Sequence, residues 1–126
     1  MPAIDEITIS GIRVFGHHGV YPQERRDGQE FVVDVTMSVD ASRAAETDDV
    51  ADTVHYGEVA EDIAAIVAGE PVNLLERLAA RIADALLARD GVEAVRVTVH
   101  KPSAPIPVPF HDVTVSITRR AAAGAS

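Results

Sequence analysis

The residues with the clearest chemical potential lie in the stretch Pro71-Val72-Asn73-Leu74-Leu75-Glu76, where an amphipathic pattern begins. Asn73 followed three residues later by Glu76 is an Asn variant of the capping box and predicts a helix that starts at Leu74. The first turn of a helix has backbone N–H groups without intrahelical acceptors. The Leu75 N–H and the Glu76 carboxylate would therefore form a donor and acceptor pair suited to a flat, amide-like heterocycle. A simple helix cap is the competing interpretation of Glu76.

A second candidate, Lys101, stands where a predicted strand meets a proline-rich loop. The phase of the strand places Lys101 on the same side as Val95, Val97 and Val99, which is unusual for a lysine. Four prolines occur in the nine residues 101–109, and because proline fixes φ, this loop should be stiff. A desolvated ammonium ion gives up its proton more readily, so Lys101 is a candidate for proton transfer. The alternative is a lysine that snorkels from the end of the sheet.

Apolar periodicity predicts the elements that position these residues. Alternation predicts strands over 7–14, 31–39, 95–99 and 113–117, and helical spacing predicts helices over 57–69 and 74–90. A short helix is predicted over 42–46. Gly11 shifts the apolar phase of the first strand, which indicates a β-bulge. Residues 21–28 are predicted as a polar connection, in which Glu24 has neither helical nor strand periodicity.

The resulting element order is ββααββ, an α+β fold. Each strand is apolar on one face only, so we expect the two helices to cover one face of an antiparallel four-stranded sheet. The other face is rich in Thr, Ser, Asp and His, and two sheet edges remain unpaired. Pairing of these edges between copies would close a barrel with the helices outside and the polar face inside.

Length, charge and composition exclude several classes of function. The 126 residues predict one domain over 1–120, followed by a small, disordered tail over 121–126. A formal net charge of -9 without a basic block disfavours nucleic acid and anionic membranes as partners. The absence of cysteine excludes disulfides, thiolate catalysis and cysteine-based zinc sites. No run approaches the ~20 apolar residues of a membrane span, and a cytoplasmic protein is expected.

Four motifs in one order carry a resemblance to a known family. They are Gly16-His17-His18-Gly19-Val20-Tyr21 with Glu24, Asp52-Thr53-Val54-His55-Tyr56-Gly57, Asn73-Leu74-Leu75-Glu76, and Lys101-Pro102-Ser103-Ala104-Pro105-Ile106. With these motifs the chain resembles dihydroneopterin aldolase over nearly everything from Ile4 to Arg120. The resemblance implies the tunnelling fold and a homo-oligomer of tetrameric rings, commonly stacked as an octamer. It also implies active sites between neighbouring subunits.

The same resemblance implies a reaction of folate biosynthesis. A retro-aldol step would split 7,8-dihydroneopterin into 6-hydroxymethyl-7,8-dihydropterin and glycolaldehyde, and family members also epimerise the substrate side chain at C2′. The C=N bond of the dihydropterin ring is the electron sink. No cofactor, metal or enzyme Schiff base is therefore expected.

The resemblance also assigns roles to individual residues. Lys101 would be the main proton-transfer group, and Glu24 would orient Lys101 and the substrate hydroxyls. Tyr56, contributed across the subunit interface, would protonate or deprotonate the enol-like intermediate. A structural aromatic at the start of a helix is the alternative for Tyr56. The residues expected to bind substrate are Glu24, Thr53, Val54, Tyr56, Leu75, Glu76 and Lys101, with Thr53 and Val54 supplied by the neighbouring subunit.

Three other functions remain open at this stage. A dihydroneopterin triphosphate epimerase would need cations, which Arg25 and Arg26 could provide. A zinc-dependent pterin enzyme is disfavoured, because the histidines lack the spacing of a three-histidine site and are expected to be structural or solvent-facing. These histidines are His17, His18, His55, His100 and His111. A non-catalytic pterin-binding ring protein would need chiefly Glu76, so the joint presence of Glu24, Tyr56 and Lys101 argues against it.

Overall fold

The computed structural model describes residues 4–122 and confirms the predicted ββααββ order, with short helical additions. The strands are β1 (Asp5–Gly16), β2 (Gln29–Val39), β3 (Ala94–His100) and β4 (Thr114–Arg120). The helices are α1 (Pro22–Asp27), α2 (Ser42–Thr47), α3 (Tyr56–Ala68) and α4 (Leu75–Leu87), with a 3-10 turn over Val50–Asp52. Within the described residues, no helix is long and apolar enough to cross a membrane.

The four strands form one antiparallel sheet in the order β1-β2-β3-β4, so β1 and β4 are its edges. Helix α3 packs against β1, and α4 packs against β3 and β4, so both main helices cover the same face. Strand β2 supplies the centre of the core through Phe31, Val33, Val35 and Met37, which are almost completely buried. Alternate residues of β2 therefore face the helices, as the period-2 pattern predicts.

The predicted bulge in β1 is present. Ile9 pairs with Val35 and Ile12 pairs with Val33, so β1 has one residue more than β2 between these two pairs. Gly11, at the extra position, has a φ of 74°, a conformation that glycine adopts without steric cost. Because of the bulge, Ile9 and Ile12 both pack against the core despite the change of phase.

Helices α3 and α4 define two opposite ends of the helical layer. Arg89, just beyond α4, donates to the carboxylates of Asp62 and Glu58 near the start of α3. At the other end, the carbonyl of Val67 near the end of α3 accepts a hydrogen bond from His18 at 2.7 Å. The two helices are therefore antiparallel, and the start of α4 lies at the same end of the layer as His18.

The prediction of an irregular connection over residues 21–28 is wrong, because Pro22–Asp27 form helix α1. Pro22 occupies the first helical position, where its fixed φ is favourable. Glu24 Oε1 accepts the Tyr21 N–H at 3.3 Å, and the Tyr21 carbonyl accepts the Glu24 N–H at 3.1 Å. Six residues are too few to show a helical period, so local capping and not periodicity defines this helix.

The predicted capping box at Asn73 is also wrong. Helix α4 begins at Leu75, and its N-cap residue, Leu74, makes no side-chain capping bond. The Asn73 Oδ1 instead accepts a hydrogen bond from Arg25 Nη2 of α1. A guanidinium donor forms a charge-assisted bond, which is stronger than a bond to a backbone amide. A tertiary contact has thus replaced the local cap.

The predicted tail lies largely outside the described residues, which end at 122. Its first residue, Ala121, donates its N–H to the carbonyl of Glu93 at 2.8 Å and so continues the order of the sheet. The single-domain prediction over 1–120 stays a prediction.

Candidate functional site

Lys101 and Glu24 form a buried ion pair at the end of β3. Lys101 Nζ lies 2.6 Å from Glu24 Oε2, and their side chains are only 11% and 5% exposed. The Lys101 N–H donates to the Val113 carbonyl at 2.8 Å, which fixes the backbone from which the ammonium extends. The structure thus brings together two of the predicted catalytic residues, one from helix α1 and one directly after strand β3.

Two further groups hold the Glu24 carboxylate in place. Oε1 accepts the Tyr21 N–H, and Oε2 accepts a bond from Gln29 Nε2 at 3.2 Å. Burial alone would raise the pKa of Glu24, but the bonds from Lys101, Tyr21 and Gln29 together lower it below its usual value. The residue is therefore an ionised acceptor facing a cation. A Cβ at Gly19 would collide with this carboxylate, so only glycine fits at position 19.

Arg25 joins the ion pair to the start of α4. Its Nε donates to the Gly19 carbonyl at 2.9 Å, and its Nη2 donates to Asn73. The Gly19 N–H in turn donates to the Val72 carbonyl at 2.9 Å. These bonds connect α1, which carries Glu24, to the segment leading into Leu75–Leu87 and its first turn.

Leu75 and Glu76 stand in that first turn. The Leu75 side chain is buried against the core, whereas Glu76 is exposed. Over residues 4–122, the Glu76 carboxylate has no hydrogen-bond or ion-pair partner. It is therefore an open acceptor beside the unpaired N–H groups of a helix start.

His18 is a buried side chain that links three segments of the chain by hydrogen bonds. Its Nε2 donates to the Val67 carbonyl at 2.7 Å, and its Nδ1 accepts the Val72 N–H at 3.0 Å. The ring is 1% exposed, and burial lowers its pKa, with Arg81 and Arg25 acting in the same direction. His18 is thus a neutral residue that joins the segment after β1 to the end of α3 and to Val72.

Thr53, Val54 and Tyr56 do not join the ion pair within one chain. Tyr56, the first residue of α3, is 66% exposed, and Thr53 and Val54 line a cleft of about 460 Å³ beside Arg89. The eleven residue steps from Tyr56 to Val67 correspond to roughly 16 Å along the helix axis. The predicted cross-interface residues therefore occupy the opposite end of the helical layer from Glu24.

The polar sheet face carries a cluster whose function the sequence does not reveal. His100 Nε2 lies 2.6 Å from Asp34 Oδ2, and His100 Nδ1 lies 2.7 Å from Asp112 Oδ2. Asp34 Oδ1 also accepts the Gly11 N–H from the bulge at 2.7 Å. The bonds to Asp112 and Asp34 raise the pKa of His100, and the bond from His100 lowers the pKa of Asp34. The only signal in the sequence is that Asp34 and His100 each alternate with core valines of their own strand.

The two arginines that would suit a triphosphate differ in their surroundings, because Arg25 has tertiary partners whereas Arg26 is 73% exposed. Arg25 binds Gly19 and Asn73, and Arg26 pairs with the carboxylate of Asp27 at 2.9 and 3.1 Å. In the part of the chain that the structure describes, no three His, Asp or Glu side chains are grouped so that they could hold a metal ion.

Comparisons with known proteins agree with the motifs and the fold. The family model of dihydroneopterin aldolase matches residues 7–118. A dihydroneopterin aldolase of Streptomyces coelicolor is 57% identical over 116 residues, which cover 92% of this chain and 98% of that protein. Among solved structures, E. coli dihydroneopterin aldolase in complex with neopterin has a TM-score of 0.84 at 36% identity, covering 92% of this chain and 99% of that one. A Burkholderia thailendensis dihydroneopterin aldolase bound to guanine has a TM-score of 0.77 at 28% identity, covering 92% and 90%.

Proposed function

The chain belongs to the dihydroneopterin aldolase family, and on that premise we propose that Lys101 and Glu24 carry out its reaction. The reaction is the cleavage of 7,8-dihydroneopterin into 6-hydroxymethyl-7,8-dihydropterin and glycolaldehyde. The observation that carries the proposal is the buried ion pair, with Lys101 Nζ 2.6 Å from Glu24 Oε2.

The ion pair suits proton transfer at the substrate side chain. Cleavage of the C1′–C2′ bond sends its electron pair through C6 to the ring C=N bond, while the C2′ hydroxyl loses its proton and becomes the glycolaldehyde carbonyl. Lys101 transfers protons to and from this hydroxyl and the ring nitrogen. Glu24 orients the ammonium group of Lys101 and the substrate hydroxyls. C1′ then takes a proton while the ring nitrogen loses one, which restores the C=N bond and completes the hydroxymethyl product.

Glu76 and the Leu75 N–H form the recognition end of the site. A pterin edge presents an N–H and an NH2 group, which a carboxylate can accept together in charge-assisted bonds. The pterin carbonyl then accepts the Leu75 N–H. Neopterin and guanine, the ligands of two structural relatives, share this 2-amino-4-oxopyrimidine edge. The open Glu76 carboxylate supports the same pairing in this chain.

A second copy of the chain would supply Tyr56. The ends of one helical layer are roughly 16 Å apart, so one chain cannot place Tyr56 beside Lys101. In a closed barrel the strands tilt by ~35–45°. A sheet four strands wide spans about 19 Å. The displacement along the strands from one copy to the next is this width multiplied by the tangent of the tilt, which is roughly 16 Å at about 40°. In a ring, neighbouring copies would therefore be offset by about the distance that separates the Tyr56 end of one helical layer from its Lys101 end.

The features of the chain favour the aldolase over the alternatives. Arg25 is held by Gly19 and Asn73, which leaves only the exposed Arg26 for a triphosphate and disfavours the triphosphate epimerase. A non-catalytic pterin-binding protein would gain nothing from burying a charged pair, which is costly in desolvation. The relatives named above are all aldolases.

The activity is tested by incubating the protein with 7,8-dihydroneopterin and measuring glycolaldehyde and the hydroxymethyl pterin. Equimolar products are expected, with activity retained in the presence of chelators. Borohydride added during turnover should trap no substrate on Lys101, because the substrate supplies its own imine. A folded protein that releases no glycolaldehyde would refute the proposal, and a Lys101 adduct would refute this mechanism.

The shared site is tested by mixing two variants that are each expected to have strongly reduced activity, Lys101→Ala and Tyr56→Phe. After random reassembly, a site that takes Lys101 from one variant and Tyr56 from the other is intact. About a quarter of the interfaces in a one-to-one mixture would meet this condition, so about a quarter of the parent activity should return. If both residues acted within one chain, mixing would restore nothing.

A further inference from the structure

We propose that His100 is a positioning residue, and that its clamp between Asp34 and Asp112 fixes the backbone of Lys101 for proton transfer. The inference rests on the proposed function, because it concerns the lysine that moves protons there. It adds a role for the polar sheet face, which lies on the other side of the sheet from the Lys101–Glu24 pair.

The geometry requires a charged imidazole. Both ring nitrogens of His100 lie within 2.7 Å of carboxylate oxygens from two different segments. Ionised carboxylates only accept hydrogen bonds, so both nitrogens must donate and the ring must carry a proton on each. The result is a pair of short, charge-assisted bonds, which hold both partners more firmly than neutral bonds would.

The clamp closes the base of the proline-rich loop directly beside Lys101. Asp112 Oδ2 binds His100, and Asp112 Oδ1 accepts the Val113 N–H at 2.8 Å. The Val113 carbonyl then accepts the Lys101 N–H at 2.8 Å. These links form a closed circuit from His100 through Asp112 and Val113 to Lys101, the next residue in the chain. Movement of the loop ends would therefore move the Lys101 backbone.

The clamp also connects Lys101 to the far side of the sheet. Asp34 lies on β2 and accepts the Gly11 N–H of the β1 bulge. From β4, the residue that pairs with His100 is Thr114, which has no charge. The charged groups that contact the imidazole are thus Asp34 and Asp112. One ring anchors the end of β3 to the strands on both sides.

Deprotonation of His100 should loosen the clamp. Its folded-state pKa is raised above the ordinary 6.5, so its contribution is complete below that value and is lost as pH rises through the folded-state pKa. Misplacement of a catalytic group by about 1 Å can reduce turnover by up to about a hundredfold. The clamp therefore predicts a loss of kcat on the alkaline side that does not extend to pterin binding.

The test compares His100→Gln with His111→Gln, an exposed residue of the same loop. Glutamine has a single amide nitrogen in place of the two ring nitrogens and cannot bridge both carboxylates. The value of kcat should therefore fall by about tenfold, while the Kd for 6-hydroxymethyl-7,8-dihydropterin changes less than about twofold. The pH dependence of kcat should lose the alkaline step that the parent shows. His111→Gln should match the parent. An unchanged kcat and pH profile in a folded His100→Gln protein would overturn the inference.

A second readout does not depend on activity. Lys101 is the only lysine in the sequence, so an amine-reactive probe with peptide mass spectrometry reports on this side chain alone. The clamp predicts faster modification of Lys101 in His100→Gln than in the parent. If the parent releases no glycolaldehyde, the proposed function fails, yet the modification rate still decides the positioning role: an unchanged rate overturns it. Asp112→Asn, which leaves the ring in place, should shift both readouts in the same direction if His100→Gln does not fold.

Discussion

Two parts of the proposed site, the buried Lys101–Glu24 pair and the exposed Glu76 carboxylate, differ in how many of their polar atoms already have partners within the chain. The pair is buried, and its carboxylate has three hydrogen-bond donors around it. Glu76 is exposed and has no partner within residues 4–122. The pair is therefore desolvated during folding, whereas Glu76 would lose its water only on binding the proposed ligand.

The difference separates catalysis from recognition. In the proposed site, Glu76 meets a part of the pterin that does not react, so we expect its contacts to be similar in the ground state and the transition state. The proposed role of Lys101 is at the atoms where protons move, so we expect its contribution to be greatest in the transition state. Variants at the two positions should consequently affect different kinetic constants.

The largest effect is expected at Lys101. Lys101→Ala should lower kcat by about a hundredfold or more, the usual scale of general acid–base catalysis, with a smaller change in product affinity. Single-turnover measurement of glycolaldehyde release tests this. Lys101→Arg is the matched control, because arginine keeps the charge beside Glu24 but does not release its proton. Compared with Lys101→Ala, the Lys101→Arg protein should therefore recover stability but not kcat.

A large effect on binding is expected at Glu76. Glu76→Gln presents one acceptor oxygen to two pterin donors and should weaken product binding by about 2 kcal/mol, with little change in kcat at saturation. Calorimetry with 6-hydroxymethyl-7,8-dihydropterin measures the change. Since Glu76 does not close a capping box, the free energy of unfolding should change by less than about 1 kcal/mol. Parent-like affinity in this variant would show that the ligand lies elsewhere.

A smaller effect concerns stability in acid. The folded-state pKa of Glu24 is depressed, so its contribution is present above its usual value of 4.5 and is lost as pH falls through the folded-state pKa. The parent should therefore lose stability below pH 4.5 more steeply than Glu24→Gln. Denaturant unfolding at several pH values decides this. Equal slopes in the two proteins would mean that Glu24 is not ionised in the folded state.

The smallest effect is expected at Asn73. Asn73→Ala removes the acceptor for Arg25 and should cost roughly 1 kcal/mol of stability with a modest rise in the pterin Kd. Asn73→Asp, which keeps the acceptor oxygen, is the matched control and should retain both properties. A loss of helix content in Asn73→Ala without any change in Kd would indicate a helix cap after all.

The sequence patterns that predict this fold are those in which the polarity of each residue reflects whether that residue is buried. Alternation of valines locates β2 and β3, and the phase of β3 places Lys101 toward the core. The change of phase at Gly11 predicts the bulge. Such signals are local, because burial imposes them on each residue separately.

The failures occur where a residue's partner is far away in the chain. Asn73 has the spacing of a cap, but an arginine 48 positions earlier binds its oxygen. Helix α1 is too short for periodicity and depends on Glu24 and its bonds. The contact between Asp34 and His100 needs the register of β2 against β3, which pairs Asp34 with Thr98 and leaves His100 one step diagonal. Register follows from tertiary packing and is not written in either strand alone.

The extra residue in β1, Gly11, affects the polar face of the sheet more than the core. Without Gly11, Ile9 and Ile12 would be two positions apart, and a regular strand would still direct both toward the helices. The core therefore does not require the insertion, whereas Asp34 does, because its carboxylate accepts the Gly11 N–H. We expect that deletion of Gly11 would leave a foldable sheet and would remove one of the hydrogen bonds that hold Asp34 beside His100. We expect that homologues with a first strand shorter by one residue have also dispensed with the pairing of Asp34 and His100, so that a single deletion and two side chains are inherited as one trait.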